Sequence, residues 1–287
     1  MYERYRLEGK LFKKAGEKME EQVKGNLVLI GGGEDKEGEQ VILKKVTEMA
    51  GGKDGCMVLL GAASPKPHQG LATYKKVFLQ LGMREVLILP VQSRADATGT
   101  WCKEVLAQAT AVFMTGGDQL RITNIIGGTA LEEELHRRFL EGLVVCGTSA
   151  GASVMSDTML VGGEGEEPPR KAGIVMAPGL GLLKSAVIDQ HFAQRGRMNR
   201  LLTALAHNPG ILGIGIDENT AVVCRDNALL EVVGGQGVAL LDGRTMEQAN
   251  VTEQEPGRAL AITHVTLHIL NHGCRFDLKN REPLLPS

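Results

Sequence analysis

An apolar run that breaks into glycine, serine and glycine leaves a chain few conformational choices, and residues 143–156, LVVCGTSAGASVMS, are such a run. Leu143, Val144, Val145 and Cys146 read as a buried strand. The chain then turns through Gly147-Thr148-Ser149-Ala150-Gly151, and the small residues Ala152 and Ser153 can start a helix packed closely on a sheet. Strand, tight turn and helix around G-x-S-x-G is the arrangement that lifts a serine hydroxyl clear of a sheet edge. The glycines are needed for a steric reason: the turn forces the serine into a strained backbone conformation, and larger neighbours would collide with it. The same turn aims the next backbone N–H groups, from Ala150 onward, at an incoming carbonyl oxygen. A Gly/Ser-rich turn that only packs closely or holds a phosphate has the same local pattern, so the rest of the chain must decide.

The elbow is the fifth in a series. Apolar runs at 27–33, 57–64, 86–89 and 111–114 precede it, separated by helical stretches at about 36–50, 71–81 and 99–108 and by a long helical run ending near Glu141. Alternation of this kind predicts an α/β fold with a mostly parallel central sheet covered by helices on both faces. In such sheets the site lies at the carboxyl ends of the strands. Four of those ends carry glycine turns, at Gly31 to Gly33, Gly61, Gly116-Gly117 and Gly147. The first lacks the spacing of a nucleotide loop, and Glu34 and Asp35 follow it, where a phosphate would be repelled.

Composition narrows the classes further. A net charge of −2 and 3% aromatic residues argue against nucleic acid as a partner. No apolar run approaches the roughly 20 residues of a membrane span. The N-terminus is charged and has no signal-peptide core, so a cytoplasmic protein is expected. The five cysteines (Cys56, Cys102, Cys146, Cys224 and Cys274) form no CxxC pair and read as reduced thiols, with no zinc site and no cofactor. Residues 1–24 read as a charged leader and 25–287 as a single domain.

Three later stretches carry side chains with chemistry. Residues 186–202, AVIDQHFAQRGRMNRLL, place Asp189, Gln190 and His191 after a strand, and Arg195, Arg197 and Arg200 at the start of an amphipathic helix. A histidine at a strand end is well placed as a general base. A helix N-terminus is the unfavourable end for cations, which points to anions or carboxylates as partners. Residues 212–224, LGIGIDENTAVVC, read as a hairpin with Asp217 or Glu218 at its tip. Residues 161–170 form a loop with Glu164, Glu166 and Glu167, read either as solvated surface or as an acidic lid for a cationic group. The tail reads as an antiparallel extension, with His264 and His268 on one face of a strand as packing or surface residues.

An elbow serine, a histidine and a later carboxylate are the parts of a Ser-His-acid triad, because a hydroxyl needs a base and the base needs an orienting carboxylate. The order Ser, His, acid differs from the Ser, acid, His order of α/β-hydrolases. Together with the triple glycine, Gly116-Gly117-Asp118-Gln119, Asp189-Gln190-His191-Phe192 and Gly215-Ile216-Asp217-Glu218-Asn219-Thr220-Ala221, the chain from Asn26 onward resembles the cyanophycinases. These are serine peptidases related to peptidase E and, more distantly, to the class I glutamine amidotransferase-like fold. The resemblance implies Ser149 as nucleophile, His191 as base and Glu218 as third member, with Asp217 its alternative. It implies an oxyanion hole from the N–H groups of Gly117 and Ala150, and a substrate pocket lined by Gln119, Asp189, Gln190, Arg195, Arg197 and Arg200. It implies as substrate cyanophycin, a poly-aspartate with arginine on each β-carboxyl, released as β-Asp-Arg, and a homodimer. A peptidase E-like aspartyl or isoaspartyl dipeptidase is the alternative that the serine motif also fits.

Overall fold

A computed structural model describes residues 23–163, 165 and 167–286. The expected leader lies outside the described residues as far as residue 22. Val23 already packs on the core, and the Lys24 N–H donates to the Leu140 carbonyl at 3.3 Å.

The strands are β1 (Asn26–Ile30), β2 (Cys56–Leu60), β3 (Glu85–Leu89), β4 (Ala111–Met114), β5 (Val144–Thr148), β6 (Thr158–Gly162), β7 (Val175–Pro178), β8 (Ala186–Gln190), β9 (Leu212–Ile216), β10 (Thr220–Arg225), β11 (Leu229–Gly234), β12 (Val238–Asp242), β13 (Thr266–Leu270), β14 (Arg275–Asp277) and β15 (Glu282–Leu284). The helices are α1 (Val41–Met49), α2 (His68–Gln80), α3 (Arg94–Thr98), α4 (Trp101–Gln108), α5 (Gln119–Ile126), α6 (Ala130–Glu141), α7 (Ala150–Ser153) and α8 (Met198–His207).

The central sheet runs β15-β14-β11-β10-β1-β5-β4-β2-β3. From β1 to β3 its neighbours are parallel, and from β1 to β15 they are antiparallel, which is the expected tail extension. The pleat sends alternate side chains to opposite faces. Val28, Ile30, Met57, Leu59 and Phe113 pack under α1 and α2, whereas Leu27, Leu29, Val58, Val112 and Val145 pack under α4, α5 and α6. Three layers follow from that alternation. On the α2 side Tyr74, Phe78 and Phe113 form an aromatic knot, with ring centroids 4.7 to 6.2 Å apart. Phe113 is wholly buried, and truncating such a ring to Ala costs about 3–5 kcal/mol.

A second sheet, β13-β12-β9-β8, stands beside the first. Here the structure corrects one expectation. Residues 212–224 are no hairpin: β9 pairs with β8 and β12, while β10 pairs with β1 and β11. The turn at 217–219 steps from one sheet to the other. A hairpin and a crossing turn share the same apolar–polar–apolar pattern, and only pairing with distant strands separates them. In β9 the glycines face away from the central core: a Cβ on Gly213 would meet Leu201 and Leu205 of α8, and one on Gly215 would meet the Phe192 ring. That lets α8 and the Phe192 turn lie close on the strand.

Two helices also differ from expectation. The first begins at Val41 rather than near residue 36, because the Asp35 carboxylate accepts the N–H groups of Glu37, Gly38 and Gln40 and closes a loop there. The long run before the elbow is two helices, split at Gly127-Gly128, where Gly128 has φ 68°. Among the described residues no helix is long and apolar enough to cross a membrane.

Candidate active site

The elbow is strained as its sequence demands. Ser149 has φ 54° and ψ −115°, a region that costs a non-glycine residue about 1–3 kcal/mol. It persists because both sides of the turn are pinned. The Ser149 N–H donates to the Ile30 carbonyl at 2.9 Å, and the Ser149 carbonyl accepts from Ala152 and Ser153. Gly147 and Gly151 leave no room for a side chain: a Cβ on Gly147 would lie 2.2 Å from the Gly151 carbonyl oxygen, and one on Gly151 would lie 2.3 Å from that of Met114.

His191 leaves the end of β8 in a left-handed conformation, φ 49°. Its N–H donates to the Gly31 carbonyl at 2.8 Å, so the second sheet is tied to the end of β1. Its ring then lies over Gly32, where a Cβ would approach Cε1 to 2.3 Å. His191 Nε2 is 2.8 Å from Ser149 Oγ, and Nδ1 is 2.6 Å from Glu218 Oε1. Serine, imidazole and carboxylate thus form one continuous chain. Between the two acidic residues of the turn, it is Glu218 that meets the imidazole. Asp217 is occupied elsewhere, accepting the N–H groups of Ala193 at 2.9 Å and Gly237 at 3.2 Å.

The glycine loop after β1 is what gathers these groups. The Gly31 N–H donates to the Thr220 carbonyl, the Gly32 carbonyl accepts from Asn219, and Gly33 faces the Glu218 carboxylate, where a Cβ would fall 2.9 Å from Oε2. Gln194 adds an acceptor for the Glu218 N–H at 3.0 Å. Sequence reasoning missed Gln194, and it gave the triple glycine a place on the strand-end rim and among the family motifs but no part in gathering these groups. The signal in hand was the run of three glycines itself, which marks backbone that other groups must approach closely.

Gly116 lies near Ser149, its Cβ position 3.7 Å from Oγ. Gly117 has φ 144° and packs on Ala63 of the loop after β2. Among the described residues no acceptor engages the N–H groups of Gly117 and Ala150. Gln119 donates to the Leu160 carbonyl at 2.7 Å and so ties α5 to β6.

The arginines fall into two groups. Asp189 is fully buried and receives Arg200 Nε at 2.6 Å on one oxygen and Arg200 and Arg197 on the other. Arg200 is 5% exposed and also donates to the Gly163 carbonyl. Arg197 donates to the carbonyl and side-chain oxygens of Gln190 as well. Burial lowers its guanidinium to about 10, and Asp189 opposes that shift, so it stays charged at neutral pH. Asp189 and Arg200, expected to line the substrate pocket, are turned inward on each other, because a carboxylate without solvent needs cationic partners. Arg195 is exposed, with no partner among the described residues. Of the acidic loop, Glu164 and Glu166 lie outside the described residues, and Glu167 pairs with Arg170 at 2.9 Å. Gly165 lies against Gly196 and Arg197 of the arginine turn.

All five cysteines are buried and unpaired, and burial pushes the Cys146 and Cys224 thiols up, Cys224 to about 12. A thiol so placed is no nucleophile. No group of side chains able to hold a metal ion occurs among the described residues.

Fold and site together define a serine-type peptidase of the α/β class. The profile of peptidase family S51 matches residues 27–232, and the chain belongs to that family. It is 38% identical over 267 residues to a cyanophycinase of Geminocystis herdmanii, covering 93% of this chain and 98% of that one. It is 36% identical over 260 residues to a cyanophycinase of Synechococcus elongatus, covering 90% and 81%. A solved peptidase from an acI-B1 actinobacterium has the same fold, with a TM-score of 0.68 and 22% identity over 90% of this chain and 98% of that one.

Proposed function

We propose that the protein is a cyanophycinase in which Ser149, His191 and Glu218 cleave the aspartate backbone of cyanophycin to release β-Asp-Arg. The observation that carries this reading is the unbroken contact from Ser149 Oγ through His191 to Glu218, in a chain whose curated relatives are cyanophycinases. His191 Nε2 takes the hydroxyl proton as Oγ attacks the backbone carbonyl carbon, and Glu218 fixes the tautomer and offsets the imidazolium charge. The Gly117 and Ala150 N–H groups receive the developing oxyanion, each such donor being worth about 3 kcal/mol of barrier. The imidazolium returns its proton to the departing backbone amine, leaving an ester on Ser149. Water, deprotonated by His191, then hydrolyses the ester and regenerates the hydroxyl.

Each cyanophycin branch carries an arginine carboxylate and a guanidinium. Arg195, exposed on the same turn, offers a guanidinium partner for the carboxylates. Gln119 and Gln190 provide amides nearby, and the acidic loop at 164–167 offers carboxylates for the substrate guanidinium. The protein acts in the cytoplasm as a homodimer on the family resemblance, and light scattering of the purified protein checks the mass.

The test is digestion of cyanophycin by the wild type and Ser149→Ala, with products read by mass spectrometry. Release of β-Asp-Arg by the wild type alone supports the reading. Cleavage of aspartyl or isoaspartyl dipeptides without attack on the polymer replaces it with the dipeptidase reading.

A further inference from the structure

The motif Glu34-Asp35-Lys36, directly after the glycine loop, takes no part in the proposed chemistry, yet its first residue is a carboxylate 3% exposed. It lies on the α2 side of the central sheet, beneath the elbow. Its Oε2 accepts the Thr148 hydroxyl at 2.7 Å, and its Oε1 accepts the Tyr74 hydroxyl and lies 3.1 Å from Lys36 Nζ. Lys36 covers the cluster from above, its ammonium 5.0 Å from the centre of the Tyr74 ring. Burial, and then the charge of Glu34, push the Tyr74 hydroxyl far up from its ordinary value, so Tyr74 remains a donor. Tyr74 in turn is gripped by Phe113 and Phe78.

Thr148 is the residue before the strained Ser149. Glu34 is the residue after Gly33, whose neighbours carry His191 and Glu218. Asp35 continues the tie: its N–H donates to Asn219 Oδ1 at 3.0 Å, on the same turn as Glu218. One buried carboxylate therefore joins the nucleophile's strand to the loop on which base and acid hang. A carboxylate with three donors in a dry site is costly to bury unless each bond is made. The Thr148 anchor adds to the backbone bonds that pin Ser149 in its strained conformation.

We propose that Glu34 is a positioning residue for the nucleophile, acting through the Thr148 hydroxyl to hold Ser149 at its distance from His191. The inference rests on the proposed triad. It predicts a loss in the chemical step with little change in substrate binding, because Glu34 is held by Thr148, Tyr74 and Lys36 rather than by the arginine turn.

Five variants test it: Glu34→Gln, Thr148→Val, Thr148→Ser, Tyr74→Phe and the double variant Glu34→Gln with Thr148→Val. Each is assayed for kcat and KM on cyanophycin, for the labelling rate of Ser149 by a small fluorophosphonate, and for thermal melting. Glu34→Gln and Thr148→Val are expected to lower kcat and the labelling rate together by about 10- to 100-fold, the scale of a misplacement near 1 Å, with KM within about twofold. The double variant should be no slower than Glu34→Gln alone, since both remove one contact. Thr148→Ser, which keeps the hydroxyl, should restore most of the rate, and Tyr74→Phe should cost less than either. Thr148→Val nearly conserves volume, so it carries the test alone if Glu34→Gln does not fold.

A purely structural Glu34 would lower the melting temperature and leave labelling of the folded protein unchanged, and that outcome overturns the proposal. Additive effects in the double variant also overturn it. A wild type that the fluorophosphonate labels no faster than Ser149→Ala would sink the triad reading instead.

Discussion

Arg195 and Arg200 stand five residues apart with the same side chain, and the structure assigns them opposite consequences when each is replaced by methionine. Arg200 is 5% exposed, and two of its nitrogens meet the carboxylate of Asp189, which has no exposure at all. Arg200→Met leaves that buried charge with Arg197 alone, 3.3 Å from one oxygen. Removing one partner of a buried pair costs about 3–5 kcal/mol, and the retained Arg197 places the expected loss near the lower end, about 3 kcal/mol. With an m-value of about 3 kcal/mol/M, the urea midpoint falls by about 1 M. Arg195→Met removes an exposed charge and should change stability by less than about 0.5 kcal/mol, while KM for cyanophycin rises. The assay is urea unfolding followed by circular dichroism, run beside steady-state kinetics on the folded proteins. Replacing the pair together, Asp189→Leu with Arg200→Met, should be less damaging than Arg200→Met alone, because no uncompensated charge remains. The reasoning is refuted if Arg200→Met unfolds at the wild-type midpoint and shows only a raised KM, for then Arg200 faces substrate.

Three further outcomes follow from the site. Glu218→Gln keeps the shape but presents an amide to His191 Nδ1, and should lower kcat by about 10²- to 10⁴-fold with KM nearly unchanged; equal losses in both would point to a binding role. Gly32→Ala puts a Cβ 2.3 Å from His191 Cε1 at a residue with φ 101°, so the imidazole must move, and fluorophosphonate labelling of Ser149 should fall together with kcat. Backbone N–H groups of Gln40, Gly38 and Glu37 hold the Asp35 carboxyl at about 2, below its ordinary 3.8. A depressed carboxyl contributes stability above its unfolded value and loses it as pH falls through the folded one. The stability difference between wild type and Asp35→Ala should therefore be full above pH 4 and shrink towards pH 2, read by urea midpoints across that range. A difference that is flat with pH would remove the carboxyl from the account.

Much of this protein is legible along the chain. The five parallel strands, the elbow and the carboxyl-end location of the site rest on local patterns, namely apolar runs that end in glycine. Their physics is short-range: pleat, helix period and the steric limits of a tight turn act over a few residues. Sequence alone thus determined the α/β class, the strained turn at Ser149 and the histidine at the end of β8, and the resemblance of its motifs supplied the expected chemistry. Tertiary structure alone decided which groups meet. Asp217 and Glu218 are adjacent and equally acidic, and the choice between them depends on a turn that crosses between two sheets rather than closing a hairpin. The three arginines look alike in sequence, and only the burial of Asp189 separates two inward guanidinium groups from the exposed one. Glu34 reads as an acidic residue in a loop until Thr148 and Tyr74 close around it from positions 114 and 40 residues away. Such contacts follow from strand order and packing distance, which no local spacing encodes.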